Sequence, residues 1–216
     1  MQAVVALKSP HAAKSRLASV LNPEQRRELF YALAQTVIDA LNGTAAIDAV
    51  LVVTASAEVA AFARRLGCDA LLQSHDAGTA PAFEAVVEHL RPLELPGLLM
   101  IAGDLPLLTP GALQELIAAA DAPHAVVLAP DRRRSGTNAL LCSPPDVIRP
   151  RFGEDSFSRH VAAARQHGLP HRVIELEALA FDVDVPSDLD RLARVRPKLL
   201  GPALHRALES SPPIPA

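Results

Sequence analysis

The sequence has little cysteine and no apolar stretch long enough to cross a membrane. Its two cysteines, Cys68 and Cys142, form neither a C-x-x-C pair nor a metal-ligand spacing, which predicts two unreactive thiols in a reducing compartment. No segment approaches the roughly 20 apolar residues of a transmembrane helix. The first residues lack the basic region and cleavage site of a signal peptide. We therefore expect a cytoplasmic protein with no membrane partner.

An excess of charge of one sign is also missing. The chain has 21 basic and 24 acidic residues, a formal net charge of -3. Nucleic-acid-binding proteins normally carry a basic excess, so we expect no nucleic-acid partner, and any anion site must be local. The length of 216 residues, half of them hydrophobic, suits one large domain. We predict a single domain over residues 1–209 and a disordered, proline-rich tail over residues 210–216.

Short apolar runs alternate along the chain with segments of helical periodicity. The runs predict strands over 3–7, 49–54, 70–73, 98–102, 125–129, 137–142 and 171–176. The periodic segments predict helices over 23–42, 57–66, 81–90, 112–120, 157–167 and 187–195, the first of them opened by a capping box at Asn22 and Gln25. This alternation predicts an α/β fold with a mostly parallel central sheet.

The loop after the first predicted strand carries three basic residues, Lys8, Lys14 and Arg16. Ligands of open α/β sheets bind beyond the carboxyl ends of the strands, and lysine and arginine at that place can bind a triphosphate. The loop lacks the G-x-x-x-x-G-K-[ST] pattern of a P-loop. An ordinary solvated basic loop is the alternative interpretation.

Three aspartates far apart in the chain are candidates for a metal site. Asp104 follows a fully apolar strand, and Asp182 and Asp184 lie two apart in an extended segment, where side chains point the same way. Carboxylate oxygens are ligands that Mg²⁺ prefers. The alternatives are a turn or capping role for Asp104 and an exposed strand end for Asp184. Asp188 is explained by the dipole of a helix that we expect Ser187 to cap.

A second anion site is predicted at the start of a later helix. Gly153 permits a tight turn, and we expect Ser156 to cap the helix that begins at Phe157. The N–H groups and dipole of a helix N-terminus favour anions, and Thr137 can add a hydroxyl. A plain N-cap without a ligand is the alternative. His160 follows Ser156 in the same helix, where an approach to a bound acid is the alternative to the structural role that we expect for it. A Ser–His–Asp hydrolase is not expected, because the chain lacks a nucleophile elbow.

These segments occur in a characteristic order between about residue 3 and residue 192. They are Lys8 with Ala13-Lys14-Ser15-Arg16-Leu17, Gly103-Asp104-Leu105-Pro106-Leu107, Asp131-Arg132 with Gly136-Thr137-Asn138-Ala139-Leu140, Phe152-Gly153 with Ser156-Phe157 and His160, and Asp182-Val183-Asp184 with Pro186 and Asp188-Leu189. Together they resemble the guanylyltransferase family of coenzyme F420 biosynthesis, known as CofC or FbiD. The Gly-Asp-Leu-Pro segment is shared with many nucleotidyltransferases, whereas Gly-Thr-Asn and Phe-Gly-x-x-Ser-Phe are more specific.

The resemblance implies a three-layer, Rossmann-like nucleotidyltransferase fold of the glycosyltransferase-A type. It implies transfer of GMP from GTP to the phosphate of 2-phospho-L-lactate, phosphoenolpyruvate or 3-phospho-D-glycerate, with release of pyrophosphate and with Mg²⁺ as cofactor. Family members can be homodimers. The alternatives are a molybdenum-cofactor or sugar-phosphate nucleotidyltransferase on the same fold and a non-catalytic nucleotide-binding subunit.

The resemblance also implies a role for each candidate residue. The nucleotide is assigned to Lys8, Lys14, Arg16, Gly78 and Asp104. Metal binding and catalysis are assigned to Asp104, Asp182 and Asp184, with Lys14 as a further catalytic residue. The acceptor is assigned to Thr137, Asn138, Gly153 and Ser156. At the segment expected to face the base, this chain reads Gly78-Thr79-Ala80-Pro81 where the family usually shows Gly-Leu-Asn, which leaves the preference for GTP over ATP open.

Overall fold

The protein is built around a seven-stranded sheet with helices on both faces. The structure is a computed structural model that describes residues 1–11, 13–202 and 204. The strands are β1 (Gln2–Ala6), β2 (Ala49–Thr54), β3 (Asp69–Leu72), β4 (Leu98–Ile101), β5 (Ala125–Pro130), β6 (Thr137–Ser143) and β7 (His171–Val173). The α-helices are α1 (Pro23–Asn42), α2 (Ala57–Arg65), α3 (Thr79–Leu90), α4 (Pro110–Ala118), α5 (Ser156–Gln166), α6 (Glu177–Ala180) and α7 (Pro186–Val195). The predicted tail, 210–216, lies outside the described residues.

The sheet has the strand order β3-β2-β1-β4-β6-β5-β7. Strand β6 runs antiparallel to its neighbours β4 and β5, whereas the other pairs are parallel. The prediction of an α/β fold with a mostly parallel sheet is therefore confirmed. Because β6 is reversed, its first residues lie beside the carboxyl end of β4, with Ala139 opposite Ile101.

The central strands are apolar throughout because both faces of the sheet are covered. Along β1, Ala3 and Val5 pack in a cluster with α1, whereas Val4 faces the other side and packs with Phe83 of α3. This alternation follows from the two-residue period of a strand. The clusters on the two faces of the sheet give the three layers that the family resemblance implied.

Local sequence signals set the ends of α1 as predicted. Asn22 Oδ1 accepts a hydrogen bond from the Gln25 amide, and Gln25 Oε1 accepts one from the Asn22 amide, both at 2.9 Å. Pro23 occupies the first helical position, and the helix ends at Asn42, before Gly43. The reciprocal bonds form the capping box expected from these residues.

The start of α7 differs from the prediction. The helix begins at Pro186, so Val185 and not Ser187 precedes it. The Asp188 carboxylate accepts hydrogen bonds from the backbone N–H groups of Asp184 and Val185, both at 3.0 Å. The prediction of Ser187 as the cap was wrong because proline already suits the first helical position and Asp188 satisfies the N–H groups before it.

The start of α5 also differs. The helix begins at Ser156 itself, after Asp155 in a left-handed conformation, and Ser156 does not cap it. Its Oγ instead accepts a hydrogen bond from the backbone N–H of Thr137, at 2.9 Å. Periodicity within α5 does not reveal this contact, because the donor lies 19 residues earlier in the chain.

Both cysteine side chains are buried. Burial raises the pKa of the Cys68 thiol to about 11 and that of the Cys142 thiol to about 12. Thiols react as thiolates, so the expected lack of reactivity has a physical cause. Among the described residues, no helix combines the length and apolar character that a bilayer crossing requires.

Gly103 lies where the chain leaving β4 approaches β1. A Cβ atom at this position would overlap the Leu7 side chain and lie 3.2 Å from Val5 Cγ1. Glycine therefore lets the segment before Asp104 pack directly on the central strand, which keeps Asp104 at the end of the sheet.

We expect Gly103→Ala to lower the free energy of unfolding by about 1–3 kcal/mol, because the added methyl group must displace packed side chains. Urea unfolding would measure the change. Gly111→Ala in α4 is the matched control, since a Cβ there meets only Thr109 Oγ1 at 3.9 Å, and it should be neutral or stabilise by up to about 1 kcal/mol. Equal stabilities for the Gly103 variant and the wild type would contradict the packing argument.

Candidate active site

The carboxyl ends of β1 and β4 open on a cavity of about 850 Å³. The loop after β1, the start of β6, the start of α5 and the segment before α7 complete its walls. All of the predicted site residues except Gly78 line it: Lys8, Lys14, Arg16, Asp104, Thr137, Asn138, Gly153, Ser156, Asp182 and Asp184. Residues separated by up to 176 positions therefore share one cavity, at the edge of the sheet where α/β proteins bind ligands.

The Lys14 ammonium group lies at the acidic end of this cavity. It forms an ion pair with Asp104, donates to the backbone oxygen of Val183 at 2.6 Å, and lies 3.3 Å from Asp184 Oδ1. Burial by itself lowers the pKa of Lys14, but the negative charges of Asp104 and Asp184 outweigh it and leave the pKa raised. A charged ammonium therefore joins two carboxylates from distant parts of the chain.

Asp182 shares this acidic end. Burial, together with the negative charges of Asp104 and Asp184, raises the pKa of its carboxyl to about 7. The three carboxylates are thus close enough to influence one another, which is the gathering that the sequence predicted. Among the residues that the structure describes, no group of three or more His, Cys, Asp or Glu side chains is preformed as a metal site; the cation amid these carboxylates is Lys14.

The ion pair between Arg132 and Asp188, which sequence reasoning missed, supports the backbone of the Asp182–Asp184 segment. Asp188 is buried and pairs with Arg132, while its second oxygen accepts from the Asp184 and Val185 amides. The Arg132 guanidinium also stacks over Phe181, 4.8 Å from the ring centroid. Asp188 was explained from the sequence by the helix dipole alone, because a partner 56 residues away leaves no local pattern.

Asn138 holds the other side of the same segment. It lines the cavity, but its side-chain amide donates to the backbone oxygens of Leu179 at 3.0 Å and Ala180 at 3.3 Å. These bonds attach the short helix α6 to the sheet just before Asp182. The acceptor-binding role implied for Asn138 stays a prediction, since its amide hydrogens are directed at the backbone.

Hydroxyl groups and backbone form another part of the cavity, its hydroxyl end. Thr137 and Ser156 are buried and bonded to each other through the Thr137 amide and Ser156 Oγ. Gly153, three residues before Ser156, has a positive φ of 116°, a conformation that glycine adopts without strain. His160 lies behind Thr137, with Nδ1 3.0 Å from Thr137 Oγ1. The residues predicted for the acceptor are thus together, although Ser156 is not a helix cap.

The arginines at 132–134 divide between support and cavity. Arg132 pairs with Asp188, and Arg134 pairs with Glu175, whereas Arg133 lines the cavity. The sequence analysis named Arg132 within the family motif and did not predict which of the three arginines reaches the cavity. Ion pairs with Asp188 and Glu175 hold Arg132 and Arg134 away from this role, and both partners lie far along the chain.

Gly78 is placed apart from the other predicted residues. It precedes α3 with a positive φ of 95°, and its amide donates to Asp76 Oδ1 at 3.0 Å. The cavity is lined by the next residue, Thr79. The segment that carries Gly78 thus reaches the cavity through Thr79. A role for Gly78 itself in binding the nucleotide stays a prediction.

The fold is that of nucleotidyltransferases. A nucleotidyl transferase from Methanothermobacter thermautotrophicus has a TM-score of 0.64 at 16% identity over 97% of this chain and 98% of its own. A Desulfovibrio desulfuricans protein assigned to the nucleotide-diphospho-sugar transferases has a TM-score of 0.76 at 15% identity over 97% and 95%. The chain itself belongs to the family described as guanylyl transferase CofC like, which it matches over residues 1–194. It is therefore a guanylyltransferase of the family that serves coenzyme F420 biosynthesis.

Sequence relatives agree with this membership. Phosphoenolpyruvate guanylyltransferase of Sphaerobacter thermophilus is 41% identical over 88% of this chain and 91% of the relative. The enzyme of the same name from Conexibacter woesei is 37% identical over 94% and 92%. A 3-phospho-D-glycerate guanylyltransferase of Colwellia psychrerythraea is 31% identical over 88% and 90%. The family resemblance inferred from the motifs is confirmed.

We expect Asp182→Asn to raise the melting temperature of the metal-free protein by about 3 °C or more at pH 8. The folded-state pKa of Asp182, about 7, lies above its ordinary value of 3.8. The wild type is therefore progressively destabilised as pH rises from about 4 through 7, and the neutral amide avoids this cost. The gain should shrink as pH falls towards 4.

Thermal melts in the presence of a chelator would test this. Asp69→Asn, on the exposed start of β3, is a matched control that should leave the melting temperature unchanged at both pH values. A less stable Asp182 variant at pH 8 would show that the carboxylate is not electrostatically disfavoured in the folded protein.

Proposed function

We propose that this guanylyltransferase uses phosphoenolpyruvate as its acceptor and transfers GMP to it from GTP. The observation that carries the proposal is a single cavity that combines an acidic, cation-holding end with a part lined by the Thr137 and Ser156 hydroxyls. Its volume of about 850 Å³ suits a nucleotide together with a small acid. Relatives that are 37–41% identical carry the name of this activity, and the 31% relative named for 3-phospho-D-glycerate is less similar.

The acceptor's phosphate oxygen attacks the α-phosphorus of GTP, forming a new P–O bond as the bond to the β-phosphate breaks and pyrophosphate leaves. A phosphate monoester has its second pKa near ~6, so the nucleophile is already an anion at neutral pH. No general base is required. The obstacle is the repulsion between two anionic reactants, which electrostatic stabilisation must overcome.

The basic residues of the loop after β1 meet the requirement for positive charge. Lys8, Lys14 and Arg16 line the cavity on the side of β1. We assign them to the triphosphate, where they stabilise the negative charge that accumulates on the departing pyrophosphate. Arg16 already lies 3.8 Å from Asp184, so the cationic and acidic groups adjoin.

The donor set fits a divalent cation. The carboxylates of Asp104 and Asp184 and the backbone oxygen of Val183 already surround one cationic group, the Lys14 ammonium, and Asp182 adds a third carboxylate. Hard oxygen donors of this kind suit Mg²⁺. We assign Asp104, Asp182 and Asp184 as its ligands. When bound, Mg²⁺ supplies charge neutralisation between the attacking and leaving oxygens.

Pyrophosphate release tests the proposed reaction. The assay combines GTP, ATP or CTP with phosphoenolpyruvate, 2-phospho-L-lactate, 3-phospho-D-glycerate or a sugar phosphate, with Mg²⁺ or with a chelator. Release that requires GTP, phosphoenolpyruvate and Mg²⁺ is the expected result. Preference for CTP or a sugar phosphate would move the chain to another activity on this fold, and no release with any pair would indicate a non-catalytic subunit.

We expect Asp104→Asn to lower kcat by at least about 100-fold while leaving the protein folded, because the substitution removes one charge from the acidic end without changing its size. Steady-state pyrophosphate release and a melting curve would measure the two effects. Asp69→Asn is the control that should keep wild-type kcat. Full activity of the Asp104 variant would contradict the assignment of this residue.

We expect Lys14→Met to make the metal-free protein less stable and more responsive to Mg²⁺. Removing the ammonium leaves the carboxylates unbalanced, and a divalent cation then no longer competes with a resident charge. Binding to the folded state raises the melting temperature, so millimolar Mg²⁺ should raise it more in the variant than in the wild type. An absence of any Mg²⁺ effect on both proteins would contradict the metal assignment.

A further inference from the structure

A buried polar network behind the hydroxyl end of the cavity has no part in the reaction described above. Its centre is His160, whose side chain is fully buried within α5. Both ring nitrogens have partners: Nδ1 lies 3.0 Å from Thr137 Oγ1, and Nε2 lies 2.7 Å from the backbone nitrogen of Arg151. The ring also contacts Phe152 edge to face, with centroids 5.2 Å apart.

The partners determine which nitrogen carries the hydrogen. A backbone N–H can only donate, so Nε2 must accept from Arg151 and cannot itself be protonated. Burial, together with the positive charges of Arg151 and Arg159, lowers the pKa of His160 to about 4, so the ring is neutral at pH 7. A neutral imidazole has one N–H, and here it must be at Nδ1. His160 therefore donates to Thr137 Oγ1.

This donation restricts the Thr137 hydroxyl. The oxygen accepts from His160, so the hydroxyl hydrogen cannot point back to the ring and is left to donate in another direction. Thr137 lines the cavity. Ser156 is in a similar position, since its Oγ accepts from the Thr137 amide and keeps its own hydrogen for another partner. Two hydroxyls whose accepting sides are occupied form a pair of donors, which is what an anion requires.

We propose that His160 is a positioning residue that holds the Thr137 hydroxyl as a hydrogen-bond donor to the phosphate of the acceptor. Through Nε2 it also holds the backbone at Arg151, two residues before Gly153. The proposal rests on the proposed function, since it takes this end of the cavity as the acceptor site. It assigns to a buried, neutral histidine the task of orienting a hydroxyl.

The surroundings keep the ring in place. Phe152 lies between His160 and Phe83 of α3, with 4.5 Å between the two phenylalanine centroids. The α5 N-terminus is in turn attached to the β5–β6 loop, since the Phe157 amide donates to the Ser135 oxygen at 3.2 Å. The imidazole has little freedom to turn away from Thr137, so the direction of its N–H is fixed by packing as well as by hydrogen bonding.

A double-mutant cycle separates this role from simple packing. We expect Thr137→Val and His160→Phe each to raise the KM for phosphoenolpyruvate about tenfold or more, because a hydrogen bond to a charged group is lost. The KM for GTP should change by less than about twofold. Because both substitutions remove the same donor, the double variant should be no worse than Thr137→Val alone, within about threefold.

Two further variants complete the design. His160→Asn keeps an amide N–H near the position of Nδ1 and should recover part of the affinity for phosphoenolpyruvate. Thr44→Val is the matched control, because Thr44 is also buried and its hydroxyl donates only within the end of α1, to the Ala40 oxygen. It should lower stability without changing either KM. Melting curves would show that each variant is folded.

Calorimetric titration with phosphoenolpyruvate provides a readout independent of turnover. Weaker binding by His160→Phe and Thr137→Val, with non-additive losses and partial recovery in His160→Asn, supports the proposal. Additive losses, or equal increases in both KM values, would overturn it and leave His160 with a packing role. If the wild type binds phosphoenolpyruvate but releases no pyrophosphate, the proposed function fails while the positioning of Thr137 is still decided by the binding data.

Discussion

The placement of one lysine ammonium between carboxylates from distant parts of the chain is the constraint on which the site depends. Lys14 reaches Asp104 at the end of β4 and Asp184 before α7. Without a cation at this point, the three carboxylates would repel one another in a partly buried cavity. Burial, together with the charges of Asp104 and Asp184, raises the pKa of Asp182. The same electrostatic demand that places Lys14 here is the basis on which we propose these carboxylates as ligands of a divalent cation.

The acidic segment needs support because nothing in its own sequence keeps it beside the sheet. Asn138 attaches α6 through two backbone oxygens, and Asp188 holds the amides of Asp184 and Val185 while pairing with Arg132. These contacts come from β6, α7 and the β5–β6 loop. The hydrogen bonds that attach the segment before α7 to the sheet therefore also position its carboxylates.

Sequence reasoning succeeded where the information was local or followed from the general geometry of α/β sheets. Residues 49–54 are apolar almost throughout, as in a strand covered on both faces, and they form β2 as predicted. The capping box of Asn22 and Gln25 opens α1. The rule that ligands bind beyond the carboxyl ends of parallel strands predicted that Asp104 would lie near the loop carrying Lys14. Sequence reasoning failed where a partner far away in the chain decides the contact. Ser156 bonds to Thr137 instead of capping its helix, and Asp188 pairs with an arginine 56 residues away. No periodicity encodes such pairs.

The two ends of the cavity show how a chain of net charge -3 can bring two anions together. At one end Asp104 and Asp184 pair with the Lys14 ammonium, while Thr137 and Ser156 present buried hydroxyls in the same cavity, whose lining also includes Arg133 and Glu154. In the proposed reaction, the Thr137 and Ser156 hydroxyls orient the acceptor's phosphate, which is already an anion at neutral pH. In the same proposal, the basic residues Lys8, Lys14 and Arg16 of the loop after β1 stabilise the negative charge that accumulates on the departing pyrophosphate. On this proposal the hydroxyls orient the nucleophile and the basic loop stabilises the leaving group, so the two tasks are divided between different side chains of one cavity.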